Sequence, residues 1–263
     1  MRMDHPMHDL DAAAILDRPS PNHGERAGGR RPSILLLHYT GMLTAGAAID
    51  RLCDPAAGVS SHYVVDEDGS IVRLVDEDRR AHHAGVSRWA GDEDVNSASI
   101  GIEIVNPGHE HGYRDFPAAQ IDAVVALSRR IVDRWSIAPE RVLGHSDVAP
   151  ERKTDPGERF PWPRLAAAGI GHWVAPEPIT DGPSYRQGDE GQPVSALQAF
   201  LGHYGYGLPL TGVFDEQTVA VVTAFQRHFR PALVDGVADR STVLTLKRLS
   251  DALRRGEVSS AGA

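Results

Sequence analysis

The densest chemistry in this chain lies in Gly144-His145-Ser146-Asp147-Val148-Ala149-Pro150-Glu151-Arg152-Lys153-Thr154-Asp155-Pro156-Gly157, which sets an imidazole, an ammonium and a carboxylate in one short loop bounded by Gly and Pro. That loop reads as half of a hydrolytic zinc site. His145 and Asp155 lie ten positions apart, and the residue before a proline is held extended, which helps to aim the Asp155 carboxylate. The missing half is His38, because Ile34-Leu35-Leu36-Leu37 is a short apolar run of the kind that forms a buried strand and delivers the next residue to a sheet edge. Two His and one Asp hold a zinc ion and leave a fourth tetrahedral position for water, whose pKa a catalytic zinc lowers to about 7. Such a centre is built to attack a carbonyl. Taken alone, His38 reads as well as a hydrogen-bonded core histidine, and His62, His82, His83, His109 and His111 compete for the metal. Adjacent His82 and His83 point to opposite sides of an extended chain and make a poor chelating pair; His83 is expected to line the cleft without binding zinc.

The elements that must position these residues follow from periodicity. His62-Tyr63-Val64-Val65 and Ile71-Val72-Arg73-Leu74-Val75 flank an Asp68-Gly69 turn, a hairpin signal. In Ile100-Gly101-Ile102-Glu103-Ile104-Val105 the apolar residues alternate with Gly101 and Glu103, so the carboxylate stands on the face away from the isoleucines. Thr44 to Leu52 predicts a short helix, and Pro117 to Trp135 predicts a longer one with Ile121, Val124, Val125, Ile131, Val132 and Trp135 at helical spacing. Strands interleaved with helices make the fold class α/β, a mixed central sheet flanked by helices. Residues 1–30 read as an N-terminal arm, 31–174 as the α/β domain, 175–193 as a Pro- and Gly-rich linker, 194–252 as a small all-α three-helix domain and 253–263 as a flexible tail. The small domain carries a repeat: Gly212-Val213-Phe214-Asp215-Glu216-Gln217-Thr218 returns 24 positions later as Gly236-Val237-Ala238-Asp239-Arg240-Ser241-Thr242, each copy a turn followed by an Asp N-cap and a helix. Its expected apolar face includes Leu197, Phe200, Leu201, Val219, Val222, Phe225, Phe229, Leu244 and Leu246.

Composition bounds the partners. The 263 residues hold 36 acids against 27 Lys and Arg, a formal net charge of -9, which argues against nucleic acid or anionic membrane as a nonspecific partner. The single cysteine, Cys53, excludes an intramolecular disulfide and reads as core filler. No apolar run approaches the roughly 18 residues that span a bilayer, so membrane insertion is not expected. Acids and a proline within the first ten residues leave no stretch for a secretion signal, which favours the cytoplasm, with the periplasm as the alternative.

Leu37-His38-Tyr39-Thr40-Gly41, Ser61-His62-Tyr63-Val64-Val65, His83-Ala84-Gly85 with Trp89, Ser99 to Asn106, and the His145 to Gly157 loop together resemble the zinc-dependent N-acetylmuramoyl-L-alanine amidases of type 2, relatives of phage T7 lysozyme and of peptidoglycan recognition proteins. The resemblance covers roughly residues 20–165. It implies one zinc ion per chain and cleavage of the amide between the lactyl group of N-acetylmuramic acid, intact or 1,6-anhydro, and the L-alanine of the stem peptide, in cell-wall turnover or recycling. It puts the catalytic glutamate at Glu103, which otherwise reads as a solvent-facing or ion-paired strand residue, and a zinc hydrolase needs such a base. Lys153, otherwise a surface charge beside Arg152, is expected to stabilise the oxyanion. Tyr39, Trp89, Asn96 and Asn106 are expected to contact substrate from their motif positions, although Trp89 reads equally as core and Asn96 as a turn residue.

The C-terminal segment resembles the small peptidoglycan-binding domain of wall hydrolases, through Gly-x-Phe-Asp-x-x-Thr and Phe225-Gln226. The expected partners are therefore muropeptides or murein; the alternative for this segment is a helical cap on the catalytic domain. For the whole chain the alternatives are a recognition module that does not cut, which typically lacks a ligand present here, and an amidase on another acyl-peptide.

Overall fold

The computed structural model describes residues 15–256. In chain order the elements are β1 (Leu16–Asp17), β2 (His23–Glu25), β3 (Ile34–Tyr39), α1 (Ala45–Cys53), β4 (Tyr63–Val65), β5 (Ile71–Arg73), β6 (Arg79–Ala81), α2 (Val95–Ala98), β7 (Ser99–Ile104), α3 (Ala118–Trp135), β8 (Val142–Gly144), α4 (His145–Val148), α5 (Trp162–Ala167), α6 (Gln192–Tyr204), α7 (Glu216–Phe229) and α8 (Arg240–Arg255). Six strands form one mixed sheet in the order β1-β5-β4-β7-β3-β8. β3 lies between β7 and β8 and runs parallel to both, β4 runs parallel to β7, and β4 and β5 form the antiparallel hairpin. Ile34 to Leu37 are wholly buried, as a strand covered on both faces requires. On one face Ile121, Val124, Leu127 and Ile131 of α3 form the buried stripe of an amphipathic helix. On the other, Leu52 of α1 packs in a smaller cluster with Val64, Leu74 and Val105. Thr44 caps α1, its hydroxyl accepting from the Ala47 N–H at 3.2 Å.

Register carries the chemistry to one place. His38 pairs with Glu103 across β3 and β7, and opposed residues of parallel strands share a face. Leu37 pairs with Gly144, so His145 begins where β8 ends, at the same edge as His38. This is the carboxyl edge of the parallel strands, where α/β sheets open their crevice.

Of the arm expected for residues 1–30, the described part from residue 15 is built into the fold. β1 extends the sheet beside β5, β2 pairs with β6, and Arg26 is buried with its guanidinium donating to the carbonyls of Ser97 and Glu77, both at 2.8 Å. A motif of mixed Gly, Pro and charge conceals two short strands because their pairing partners lie 54 to 58 residues away. Residues 1–14 and 257–263 lie outside the described residues. α8 continues to Arg255, past the start expected for the tail at 253.

α6, α7 and α8 form the C-terminal bundle. Asp215 and Asp239 cap α7 and α8, accepting from the N–H groups of Thr218 at 2.9 Å and Thr242 at 2.7 Å. Each repeat turn also closes on a buried glutamine: the Gln198 side chain accepts from the Thr211 and Gly212 N–H groups, and Gln226 from those of Asp235 and Gly236. Leu197, Leu201, Val222, Phe225, Phe229 and Leu246 are core, whereas Phe200 remains 38 % exposed because it sits on the outer side of α6. The stretch expected as linker is bonded to the bundle, with Tyr185 bridging Ala238 and the Glu177 N–H donating to the Thr245 hydroxyl at 3.0 Å. Among the described residues no helix is long and apolar enough to cross a membrane.

Candidate metal centre

Two glycines make room for the site. A Cβ on Gly101 would meet the His83 imidazole at 2.6 Å, so the absence of a side chain lets that ring lie on β7. A Cβ on Gly144 would meet the Pro156 ring at 2.7 Å, which is how the Asp155–Pro156 segment comes back against the end of β8. There the Asp155 carbonyl accepts from the Ser146 N–H at 2.9 Å.

The structure brings His38, His145 and Asp155, all buried, to one point. The two Nδ1 atoms are 2.9 Å apart, and Asp155 Oδ2 lies 3.1 Å from His38 Nδ1 and 3.0 Å from His145 Nδ1. Hydrogen-bond partners assign the protons. The Val95 carbonyl can only accept, so the Ser99 hydroxyl donates to it at 2.5 Å and must accept from His83 Nε2 at 3.3 Å. His83 Nδ1 is then a lone pair that accepts from His38 Nε2–H at 3.0 Å, leaving His38 Nδ1 without a proton. His145 Nε2–H donates to the Ala84 carbonyl at 3.0 Å, so in the neutral ring Nδ1 is the lone pair. Two imidazole lone pairs and a carboxylate oxygen therefore face one another with no proton to share. This arrangement is repulsive until a cation enters, and its spacing is close to that of ligands held about 2.0–2.2 Å from one ion. Two histidines and one carboxylate, each histidine oriented by a hydrogen bond from its other nitrogen, suit zinc.

A cavity of about 460 Å³ opens over these three residues. Glu103 and Lys153 line it, together with Tyr39, His83, Arg152 and Thr154. One Glu103 carboxylate oxygen is sealed from solvent and has no hydrogen-bond partner. Burial first, and then the Asp155 charge, push the Glu103 carboxyl well above the usual range, with Lys153 opposing. Burial opposes ionisation of Asp155, but positive charge on His145 and His38, whose place a cation at the same point would take, outweighs it and holds the carboxyl far below the usual range. The site thus contains one carboxylate that binds a proton readily and one that does not, the division of roles that acid–base catalysis beside a cation requires.

The N-acetylmuramoyl-L-alanine amidase family model matches residues 28–158, and a model for a peptidoglycan binding domain matches residues 190–246. The N-acetylmuramoyl-L-alanine amidase AmiD of Escherichia coli is 37 % identical over 224 residues, which span 81 % of this chain and 80 % of that protein. The chain belongs to the N-acetylmuramoyl-L-alanine amidase family. The 1,6-anhydro-N-acetylmuramyl-L-alanine amidase AmpD of Enterobacter cloacae is 36 % identical over 166 residues, 57 % of this chain and 87 % of that one. Among solved structures, E. coli AmiD in complex with anhydro-N-acetylmuramic acid-L-Ala-D-gamma-Glu-L-Lys superposes with a TM-score of 0.73 at 34 % identity, covering 88 % of this chain and 93 % of AmiD. AmpDh3 of Pseudomonas aeruginosa gives 0.70 at 30 % identity, covering 97 % of this chain and 99 % of its own.

Not every residue expected to contact substrate faces this amidase's cavity. Tyr39 does, with its hydroxyl 2.8 Å from Thr154 Oγ1 and 3.0 Å from His109 Nδ1. His83 does too, while also orienting His38. Trp89 does not: it is 1 % exposed, edge-on to Tyr204 and Tyr206, with the Ala90 N–H donating to the Gly205 carbonyl at 2.7 Å. It anchors the C-terminal bundle. Asn96 is a brace, its Oδ1 accepting from the His83 and Ala84 N–H groups at 3.0 and 2.8 Å. Asn106 is fully buried and folds the loop after β7, accepting from the Gly108 N–H at 3.0 Å and donating to the Arg114 carbonyl at 2.9 Å. Motif position shows that such residues matter to the site without showing whether they touch ligand or backbone. Arg152 and Thr154, on the cavity wall, were not singled out by the sequence although they sit in the loop that carries His145 and Asp155. Ser99, at the end of the hydrogen-bond chain from His38 through His83, headed the Ser99 to Asn106 motif without a role assigned to it.

Trp89→Ala is expected to destabilise the chain by about 3–5 kcal/mol, the usual cost of deleting a buried large aromatic, read from the shift in its urea-unfolding midpoint. The buried histidines make the metal-free chain acid-sensitive. His62 accepts from the Gly101 N–H at Nδ1, and burial pushes it down to about 3, while burial pushes His38 down to about 4. Both stay neutral in the folded chain where an unfolded one protonates them near 6.5, so the unfolded state binds more protons as pH falls. Stability is therefore full above about pH 6.5 and declines toward pH 4, by about 1.4 kcal/mol per pH unit for each histidine. Urea melts of chelated protein at pH 7 and pH 5 measure the decline; equal midpoints would contradict it.

Proposed function

We propose that this chain uses one zinc ion, held by His38, His145 and Asp155, to hydrolyse the amide between the lactyl group of N-acetylmuramic acid, intact or 1,6-anhydro, and the L-alanine of a stem peptide. The observation that carries the reading is the convergence of three protonless donor atoms beside an unpartnered, buried Glu103 oxygen. Zinc supplies the Lewis acidity that polarises a carbonyl and acidifies water. Glu103 takes the proton from the attacking water and returns it to the alanine nitrogen as the amide bond breaks, a transfer its raised proton affinity suits. Lys153, on the cavity wall, supplies positive charge to the oxyanion of the tetrahedral intermediate. Tyr39 and His83 bound the space the substrate occupies. The bundle supports binding to peptidoglycan, in keeping with the matched domain.

Purified anhydro- and intact muropeptides incubated with zinc-loaded enzyme, and with a chelated control, test the assignment by mass spectrometry. Free stem peptide with L-alanine at its new N-terminus is the expected product, absent after chelation. No cleavage by protein shown to contain zinc would overturn it in favour of a recognition module or another acyl-peptide substrate.

A further inference from the structure

Asp147 lies two residues beyond His145, on the same short helical turn, and is completely buried. Its Oδ2 accepts from the Gly144 N–H at the end of β8, at 2.8 Å. Its other partners come from the C-terminal bundle. The Tyr206 hydroxyl donates to Oδ1 at 2.7 Å, and His228 Nδ1, on α7, lies 2.8 Å from Oδ2. The His228 ring is itself clamped, stacked on Trp162 of α5 with centroids 3.6 Å apart and on Phe229 at 3.8 Å. The turn that bears Asp147 carries one proposed ligand, His145, and binds the backbone of another, since the Ser146 N–H donates to the Asp155 carbonyl.

We infer that the C-terminal bundle is a built part of the metal centre, with Tyr206 and His228 acting as positioning residues that hold Asp147 and, through its turn, set His145 and Asp155 for zinc. The physical reason is that a buried carboxylate must find donors, and two of its three come from the other domain. Withdrawing one leaves Asp147 to seek a new partner, which moves a turn whose ligand atoms tolerate shifts of only about 0.5 Å. The bundle thus has a role separate from gripping peptidoglycan, and one that a tether on a flexible linker could not have.

The inference rests on the zinc reading above, and its test does not depend on turnover. Zinc affinity is measured by chelator competition, and the ligand field by the visible spectrum of the cobalt-substituted full chain, for wild type, Tyr206→Phe, His228→Gln and Tyr204→Phe. Tyr204 provides the matched control: its hydroxyl also bonds across the domain boundary, but to His172 Nδ1 at 2.8 Å and not to Asp147. Tyr206→Phe and His228→Gln are expected to weaken zinc about tenfold or more, the scale seen when a group that orients a ligand is lost, and to alter the cobalt spectrum. Tyr204→Phe is expected to lower Tm while leaving both unchanged. Wild-type affinity and spectrum in Tyr206→Phe and His228→Gln, or an equal loss in Tyr204→Phe, would overturn the inference. A wild-type chain that takes up no zinc would overturn the metal reading and this inference with it, while zinc binding without muropeptide cleavage would overturn the substrate assignment alone.

Discussion

Glu103→Gln will retain zinc and lose roughly 10²–10⁴-fold in kcat, the contribution expected of a positioned general acid–base group. The substitution keeps the size and shape of a side chain that makes no hydrogen bond through its sealed oxygen, so it leaves the cavity wall in place. It removes the one feature the proposed reaction needs from that residue, the capacity to take up a proton and give it back. KM is expected to move little, because a residue that acts on the proton in flight contributes more to the transition state than to substrate binding. Metal analysis of the same preparation separates this outcome from loss of the ion. A variant that hydrolyses muropeptide within a few-fold of wild type would remove Glu103 from the mechanism.

Asp155→Ala produces the complementary result, loss of the metal together with activity. Asp155 supplies the only negative charge among the three donors, and its Oδ2 lies within 3.1 Å of both imidazoles. Without it, His38 and His145 face each other across 2.9 Å as two neutral lone pairs, and nothing offsets the cation's charge in a buried site. The fall in zinc affinity is expected to exceed the 10–100-fold typical of losing an outer partner of a ligand. Zinc content after dialysis against a weak chelator measures it, and full occupancy would strike Asp155 from the ligand set. The two variants together separate holding the ion from using it.

Much of this was legible in the chain itself. The apolar run before His38, the Gly101 and Glu103 alternation in β7 and the Gly- and Pro-bounded loop from His145 to Asp155 are local patterns, and local patterns specify strands, faces and turns wherever burial on one side enforces them. The repeated Asp caps of α7 and α8 belong to the same class, because a cap and the N–H it satisfies are three residues apart.

What the sequence by itself determined is therefore the kind of chemistry, the candidate residues for it and the strands and loops that carry them. Which nitrogen of each histidine faces Asp155 was decided only by the tertiary structure, because it depends on Ala84, His83 and Ser99, each brought in from far along the chain. The same holds for Trp89, Asn96 and Asn106, whose motif positions suit a ligand and whose packed surroundings make them an anchor and two braces. It holds also for Asp147, an ordinary acidic residue in a loop until Tyr206 and His228 arrive from 59 and 81 positions away. Composition and spacing record what one segment can do, but the partner that orients a buried polar group is chosen by whichever distant segment packs over it.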